Sequence, residues 1–317
     1  MVANTPSSPS LDLSTSLSDA ANSVETAVEH KAEALLKSWR EAKLFFDWVN
    51  VPLIALIHIG AIAALFFFSW TNLIVAAVFY VITALGITIG YHRLLTHRSF
   101  KTPSWNEKFW AILGALALQG GPITWVALHR LHHNESDSRL DPHDISRGFF
   151  HAHFLWLLKR PPAELERIQR LHFAPELCRD PFYRWLEKYS IVPTIIQSLI
   201  LLFVGGFPMV LWGLCVRAAA LYHATWFVNS AAHVWGSKPF EDSVGKNNWW
   251  VALLAMGEGW HNNHHAFPSS ARHGLRNWQI DPSWITIKIM SYVKLAKNIK
   301  RPPQARLPWV SQKSSKN

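Results

Sequence analysis

Four stretches of this chain, 51–70, 73–91, 191–206 and 207–228, are almost free of charge and rich in Leu, Ile, Val, Ala and Phe. Each comes near the about 20 helical residues that cross the hydrocarbon core of a bilayer. The links between the first pair (Ser69 to Asn72) and the second pair (Gly205 to Pro208) hold no Lys or Arg, whereas the N-terminal flank, the segment from His92 to Tyr189 and everything after Asn229 are basic. The positive-inside rule then places both tight links outside and leaves 92–189, 229–300 and both termini in the cytoplasm. The expected architecture is an all-α multi-pass membrane protein, four transmembrane helices with a cytoplasmic helical cap. Two shorter apolar pieces, Phe109 to Leu118 and Trp249 to Met256, should lie in the interface or against the cap. Arg217, inside the fourth stretch, should face protein or the cytoplasmic end, because charge is costly in lipid.

The chain carries a formal net charge of +10 while half its residues are hydrophobic. Its basic residues flank apolar runs and show no base-stacking pattern, which excludes a nucleic-acid partner. Cys178 and Cys215 are far apart in the sequence and imply neither a disulfide framework nor a thiolate metal site. Residues 1–22 are rich in Ser, Thr, Pro and Asn and lack the basic start and apolar centre of a signal peptide, so they read as a disordered tail. From 23 to 49 the pattern turns amphipathic, with Val24, Val28, Leu35, Leu36 and Trp39 among charged residues, as for a helix lying on the membrane surface. The main domain covers 50–300, and 301–317 is a basic flexible tail.

Nine histidines fall in three boxes and one outlier: HRLLTH (His92, His97), HRLHH (His129, His132, His133), HNNHH (His261, His264, His265) and His233. On this topology all nine face the cytoplasmic side at or just past the helix ends, which argues for one site. One structural zinc uses about four ligands, so nine imidazoles ask for more than one metal ion. On a helix, His129, His132 and His133 sit at about 0°, 300° and 40°, and His261, His264 and His265 repeat that pattern, so each triplet is expected to present its rings to one centre. His92 and His97, about 140° apart on a straight helix, are expected to straddle the frayed end of the second span. Asn229 lies one turn before His233 and belongs to the same pocket. Imidazole alone does not choose among iron, copper, zinc and nickel. His30, His151, His153 and His172 read as solvated, His58 and His223 as packing or hydrogen-bonded residues within spans, and His143 and His273 as neighbours of the boxes.

These motifs together, HRLLTH, WVALHRLHH with DPHD shortly after, NSAAH and GEGWHNNHH, resemble the membrane-bound delta-9 fatty acyl desaturases over about 51–289. The segments FVNSAAH and WWVALLAMGEGWHNNHHAFPSSARHGL are similar to the cyanobacterial acyl-lipid members, which live in plasma or thylakoid membranes. The resemblance makes 50–300 a desaturase domain and implies a diiron centre: two Fe held by His92, His97, His129, His132, His133, His233, His261, His264 and His265, with Asn229 reaching the metal through a water. It implies insertion of a cis double bond at the delta-9 position of a saturated C16 or C18 chain, using O₂ and two electrons. An unactivated methylene offers nothing to a carboxylate base, so the cofactor carries the hard step and the protein positions the chain.

Glu135, Asp137, Asp141, Asp144 and Glu258 are the carboxylates placed to orient ring N–H groups from behind. Ala76 and Tyr80, one turn apart on the second span, are the positions where the resembled family floors its acyl tunnel, and Tyr80 is the expected stop. Animal acyl-CoA members have polar residues where this chain has Val126, Ala127 and Leu128, so a glycerolipid acyl chain is the expected substrate. The electron donor is a separate protein, by resemblance ferredoxin; Lys288, Lys294, Lys297, Lys300 and Arg301 would attract an acidic donor or anionic headgroups. The competing readings are an acyl-CoA delta-9 desaturase, a membrane diiron hydroxylase, and a non-catalytic metal-binding membrane protein. A transporter would carry polar ligands inside its spans.

Overall fold

The computed structural model describes residues 42–307 except 139, together with Lys37 and Trp309. The predicted tail 1–22, most of the amphipathic segment 23–49 and the end of the basic tail lie outside the described residues. Of the amphipathic segment's described residues Lys37 is helical, whereas 42–49 are not. Phe45–Phe46 (β1) pairs antiparallel with Lys159–Arg160 (β2), Phe45 opposite Arg160. Asp47 then turns the chain, its Oδ1 accepting the N–H groups of Val49 and Asn50 at 3.0 and 2.9 Å. A carboxylate bonding its own downstream amides competes with helix continuation and starts a new helix instead.

That helix is α1, Asn50–Ala64, tightening at its end to a 3₁₀ turn over Leu65–Phe67. Ser69 breaks the run with extended backbone, and its Oγ accepts the Asn72 N–H to open α2, Trp70–Leu85. α2 runs on without interruption into a π-helical stretch, Gly86–Thr96. The helices α3 (Ser104–Ala115) and α4 (Pro122–Glu135) follow, then α5 (Phe149–His153), α6 (Ala163–Phe173), α7 (Pro175–Arg179) and α8 (Pro181–Lys188). The C-terminal half contains α9 (Val192–Val210), a π-helical stretch Leu211–Val216, α10 (Arg217–Asn229), α11 (Ala231–Val234), α12 (Trp249–Leu254), α13 (His261–Ala266) and α14 (Pro282–Tyr292). The two short apolar pieces thus become α3 and α12. α3 sits close against the end of α2, where a Cβ on Gly90 would come within 2.5 Å of the Trp110 carbonyl oxygen.

Three helical runs are long and apolar enough to cross a membrane: Asn50–Phe67, Trp70–Thr96 and Val192–Val234. The third is a hairpin. Gly206 has φ 69° and ψ −170°, backbone outside the helical region that only glycine adopts without strain, and Pro208 follows it. A continuous helix would separate Gln197 from Gly213 by about 24 Å. Instead, Gln197 Nε2 donates to the Gly213 carbonyl at 3.0 Å, so the chain doubles back at Gly206. The link predicted at Gly205 to Pro208 is therefore where the reversal occurs. Arg217 faces protein as expected: it is 1% exposed and donates to the carbonyls of Leu116 at 2.7 Å and Gly213 at 3.3 Å. The outer faces are apolar, with Ile59, Phe66, Ile74, Leu199 and Phe203 all exposed, as a lipid-facing surface requires.

Candidate metal centre

The π-helical end of α2 sets the first histidine box. In a π-helix each amide reaches the carbonyl five residues back, and here the His97 N–H donates to the His92 carbonyl at 3.1 Å. Residues five apart then share a face, and the His92 and His97 rings lie 4.8 Å apart, centroid to centroid. The expectation that they straddle a frayed end is corrected by that winding.

The second box rides on α4, fixed at both ends. The Glu187 carboxylate accepts the N–H of Ile123 at 2.8 Å, that of Thr124 at 3.2 Å and the Thr124 hydroxyl, which satisfies the helix's first amides. Arg130 donates to the carbonyls of Leu95, Thr96 and Phe173 and pairs with Glu176 at 2.7 Å, clamping α4 to the end of α2. The third box is on α13, only six residues long and too short to hold itself. Its two asparagines anchor it. The Asn262 amide bonds the carbonyls of Phe240, Ser243, Val244 and Gly245, and that of Asn263 bonds the His273 carbonyl and Gln279 Oε1. The HNNHH spelling held these residues in plain view, but not the loops they tie.

The nine rings converge in two clusters. His92, His97, His129, His133 and His264 form the first, with Nε2 to Nε2 separations of 3.1 Å for His92 and His264, 2.9 Å for His264 and His133, and 3.1 Å for His133 and His129. His132, His261 and His265 form the second, with Nε2 separations of 3.2 Å for His132 and His265 and 3.1 Å for His265 and His261; the Nε2 of His233 lies 3.0 Å from that of His261. Each triplet is therefore divided, against the expectation that it serves one centre. The clusters abut beside α4, where the i, i+4 pair His129 and His133 turns to one and His132 to the other, and the rings of His133 and His265 meet between them with centroids 4.5 Å apart.

Three carboxylates stand behind the rings. His92 Nδ1 is 2.8 Å from Glu258, His132 Nδ1 2.8 Å from Asp141, and His233 Nδ1 3.0 Å from Asp137. A carboxylate only accepts, so each of these rings carries its proton on Nδ1 and turns a bare Nε2 lone pair inward. Lone pairs at about 3 Å from one another repel. A cation between them removes the conflict, and about 3 Å is the spacing of neighbouring nitrogens that each sit about 2.1 Å from one ion. His97 Nε2, buried with no hydrogen-bond partner, points to the same need. The donor set therefore fits metal ions. Burial first, and then the neighbouring imidazoles, hold His97, His129, His133, His261, His264 and His265 well below the ordinary imidazole value, neutral as ligands must be.

Burial opposes ionisation of Glu258 and Asp141, but their partners win. Arg93, His92 and His273 keep Glu258 well below the usual carboxylate range, and His143 and His132 do the same for Asp141. Arg93, fully buried between Glu258 and Asp281, went unnoticed in the sequence because a lone Arg beside a histidine gives no periodic signal. His273 lies 3.1 Å from Glu258 and His143 3.1 Å from Asp141, as expected of neighbours of the boxes. Glu135 instead bonds Asn134 and Ser138, and Asp144 caps the Ser146 amide; neither reaches a histidine. Asn229 ends α10 one turn before His233, and its side chain makes no hydrogen bond among the described residues. Trp125 stacks on His129 with centroids 5.0 Å apart. Ala76 is buried beside Leu211 and Trp212, and the Tyr80 hydroxyl donates to the Leu254 carbonyl at 2.7 Å. An apolar cavity of about 370 Å³ is lined by Phe79, Ile112, Leu116, Trp185, Ile196 and Ile200; neither Ala76 nor Tyr80 is among its lining residues.

The fatty acid desaturase family model matches residues 68–282. The sn-1 stearoyl-lipid 9-desaturase of Anabaena variabilis is 46% identical over 258 residues, 80% of this chain and 94% of that protein. The sn-2 palmitoyl-lipid 9-desaturase of a Nostoc species is 43% identical over 261 residues, 81% of this chain and 92% of that protein. A Synechocystis sn-1 stearoyl-lipid 9-desaturase is 44% identical over 278 residues, 86% of each chain.

Proposed function

This chain belongs to the fatty acid desaturase family, and from that premise we propose that it is an acyl-lipid delta-9 desaturase, placing a cis double bond in a saturated C16 or C18 chain esterified to a membrane glycerolipid. The observation that carries the reading is the pair of facing histidine clusters at the ends of apolar helices. Two iron ions, one in each cluster, would supply the oxidising chemistry that turns O₂, two electrons, two protons and two chain hydrogens into two waters and a double bond. His92, His97, His129, His133 and His264 would hold one, and His132, His233, His261 and His265 the other, with Asn229 reaching the second through a water.

What the chain itself does is position. Glu258, Asp141 and Asp137 fix ring orientation, Arg93 keeps Glu258 ionised, and Trp125 walls the first cluster. Tyr80 stops the acyl chain, and the cavity beside Phe79 admits it from the bilayer side. The lipid substrate rests on the named relatives rather than on Val126 and Ala127, which are fully buried and apolar for packing reasons. Four membrane crossings follow if both arms of the Gly206 hairpin span. The first arm rises only about 21 Å, and the exposed Trp185 and Tyr189 anchor its cytoplasmic end at the interface. The cap, the metal centre and both termini then lie in the cytoplasm, and ferredoxin is the electron donor.

The reading is tested by expressing the chain, beside a His264→Ala control, in a cell that lacks monounsaturated lipids. Gas chromatography with double-bond location should find cis-9 hexadecenoate or octadecenoate in membrane lipids with the native chain alone. Hydroxylated products, or an unchanged profile with metal bound, would overturn it.

A further inference from the structure

Apart from the two clusters, three more histidines and a serine are joined end to end. His58 Nδ1 lies 2.7 Å from the Ile54 carbonyl, and His58 Nε2 lies 3.2 Å from His223 Nε2. His223 Nδ1 is 3.1 Å from His153 Nε2, and His153 Nδ1 is 2.9 Å from Ser230 Oγ. The sequence reads His153 as solvated, yet it is 6% exposed and packed by Phe149, Trp226 and Phe227. Ser230 follows Asn229, and its carbonyl accepts the His233 N–H at 3.1 Å, which ties it to the second cluster. The titratable groups acting on His153 and His223 are one another and His58; the remaining neighbours are aromatic rings and backbone carbonyls, and no salt bridge reaches the chain among the described residues.

Counting hydrogens shows what such a chain can do. A carbonyl only accepts, so His58 carries a proton on Nδ1. With His58 neutral, its bare Nε2 needs a proton on His223 Nε2, the bare His223 Nδ1 needs one on His153 Nε2, and the bare His153 Nδ1 needs the Ser230 hydroxyl. Ser230 Oγ also lies 2.9 Å from the Trp226 carbonyl. If the hydroxyl turns there, the chain closes only with one further proton: His58 protonated on both nitrogens, His223 and His153 each on Nδ1. The same four residues thus have two complete hydrogen-bond patterns, one proton apart, with the tautomers of His223 and His153 reversed between them.

We propose that His58, His223, His153 and Ser230 form a proton relay feeding the metal centre. Desaturation takes two hydrogens from the acyl chain, and reducing one O₂ to two waters then consumes two electrons and two protons from outside. The carboxylates nearest the clusters are already engaged: Glu258, Asp141 and Asp137 each accept from a ring Nδ1–H at 2.8, 2.8 and 3.0 Å and present no proton to the metal side. In the relay, His58 passes its Nε2 proton to His223 Nε2, His223 passes its Nδ1 proton to His153 Nε2, His153 passes its Nδ1 proton to Ser230 Oγ, and the Ser230 hydroxyl, turning away from the Trp226 carbonyl, gives its own hydrogen to a water at the second cluster. One proton leaves at Ser230, and the second pattern has become the first with every proton moved one place inward. Uptake of the next proton at His58 restores the second pattern. Burial, helped by His223, draws His153 down to about 4, so His153 stays neutral and changes only its tautomer as the proton passes.

The inference rests on the desaturase reading, and its test separates the two. In the metal-loaded full-length protein, ¹⁵N-histidine labelled and embedded in lipid nanodiscs, ring nitrogen shifts should show the His223 proton moving from Nε2 to Nδ1 as pH is lowered, with His153 reversing at the same midpoint. A fixed His223 tautomer, or two rings titrating independently, would overturn the relay. His223→Gln should keep its iron and its delta-9 product while turnover falls about tenfold or more and the solvent deuterium effect changes. Unchanged turnover and isotope effect would also overturn it. If that variant fails to fold, the tautomer measurement on the native chain still decides. A native chain that makes no desaturated product sinks the functional reading, and the tautomer result stands apart from it.

Discussion

The His97 amide donates to the His92 carbonyl, 3.1 Å away and five residues back, and this one hydrogen bond brings two imidazoles of the first box onto a common face. An α-helical closure four residues back would turn His97 away from the cluster. The first box is thus a property of local winding as much as of composition.

Because each box is divided between the clusters, neighbouring histidines should have separable effects. His133→Ala should empty the first cluster and His132→Ala the second, each lowering bound iron from about two per chain toward one. Metal analysis of the purified variants checks this. Loss of both ions in both variants would show that the clusters load only as a pair.

Glu258→Gln keeps the shape but removes the charge shared by His92, Arg93 and His273. Loss of such a supporting carboxylate costs about 10- to 100-fold in metal affinity or activity. Glu135→Gln, whose contacts are Asn134 and Ser138 alone, should leave both unchanged. Iron affinity and turnover, measured side by side, distinguish the two carboxylates.

If Tyr80 is the stop for the acyl chain, Tyr80→Ala should shift the products toward longer chains. Tyr80→Phe keeps the ring and loses only the bond to the Leu254 carbonyl, so its chain-length profile should match the native one. Fatty-acid analysis of both variants gives the answer; an unaltered profile in Tyr80→Ala removes Tyr80 from that role.

The metal-free protein should lose stability as pH falls below about 6.5. Above that value the cluster histidines are neutral in both folded and unfolded chains. Below it the unfolded chain takes up protons that the fold refuses, because burial and neighbouring rings hold His97, His129, His133, His261, His264 and His265 well under their usual value of 6.5. Each such histidine costs up to about 1.4 kcal/mol per pH unit in that range. Thermal unfolding of the metal-free chain at several pH values should show the midpoint falling on the acid side, and bound metal should suppress the effect.

Much of this was legible in the sequence because it is periodic or clustered. The apolar runs, the tight links at Ser69 and Gly206, and the nine histidines all carry spacing signals. What escaped depends on contacts between distant segments. Neither the π-winding after Leu85 nor the division of HxxHH between two clusters follows from residue types, since an α-helical face admits either partner. His153 looked solvated because one histidine in a polar segment has no pattern; its partners are 70 and 77 positions away. The end of the amphipathic segment was misplaced for a similar reason. Phe45 and Phe46 look helical until the strand at Lys159 is known.

The short helix bearing the third box has a consequence for assembly. His264 meets His92 across 172 positions of sequence and His265 meets His132 across 133. Loop-closure entropy of that span is paid before any metal–ligand bond returns it. A ribosome must therefore deliver everything through His265 before either ion is fully enclosed, and a chain stalled after the hairpin has its first two boxes in place with no lid. Metal loading is then the last act of folding, a clasp that fastens the two halves of the helix bundle together.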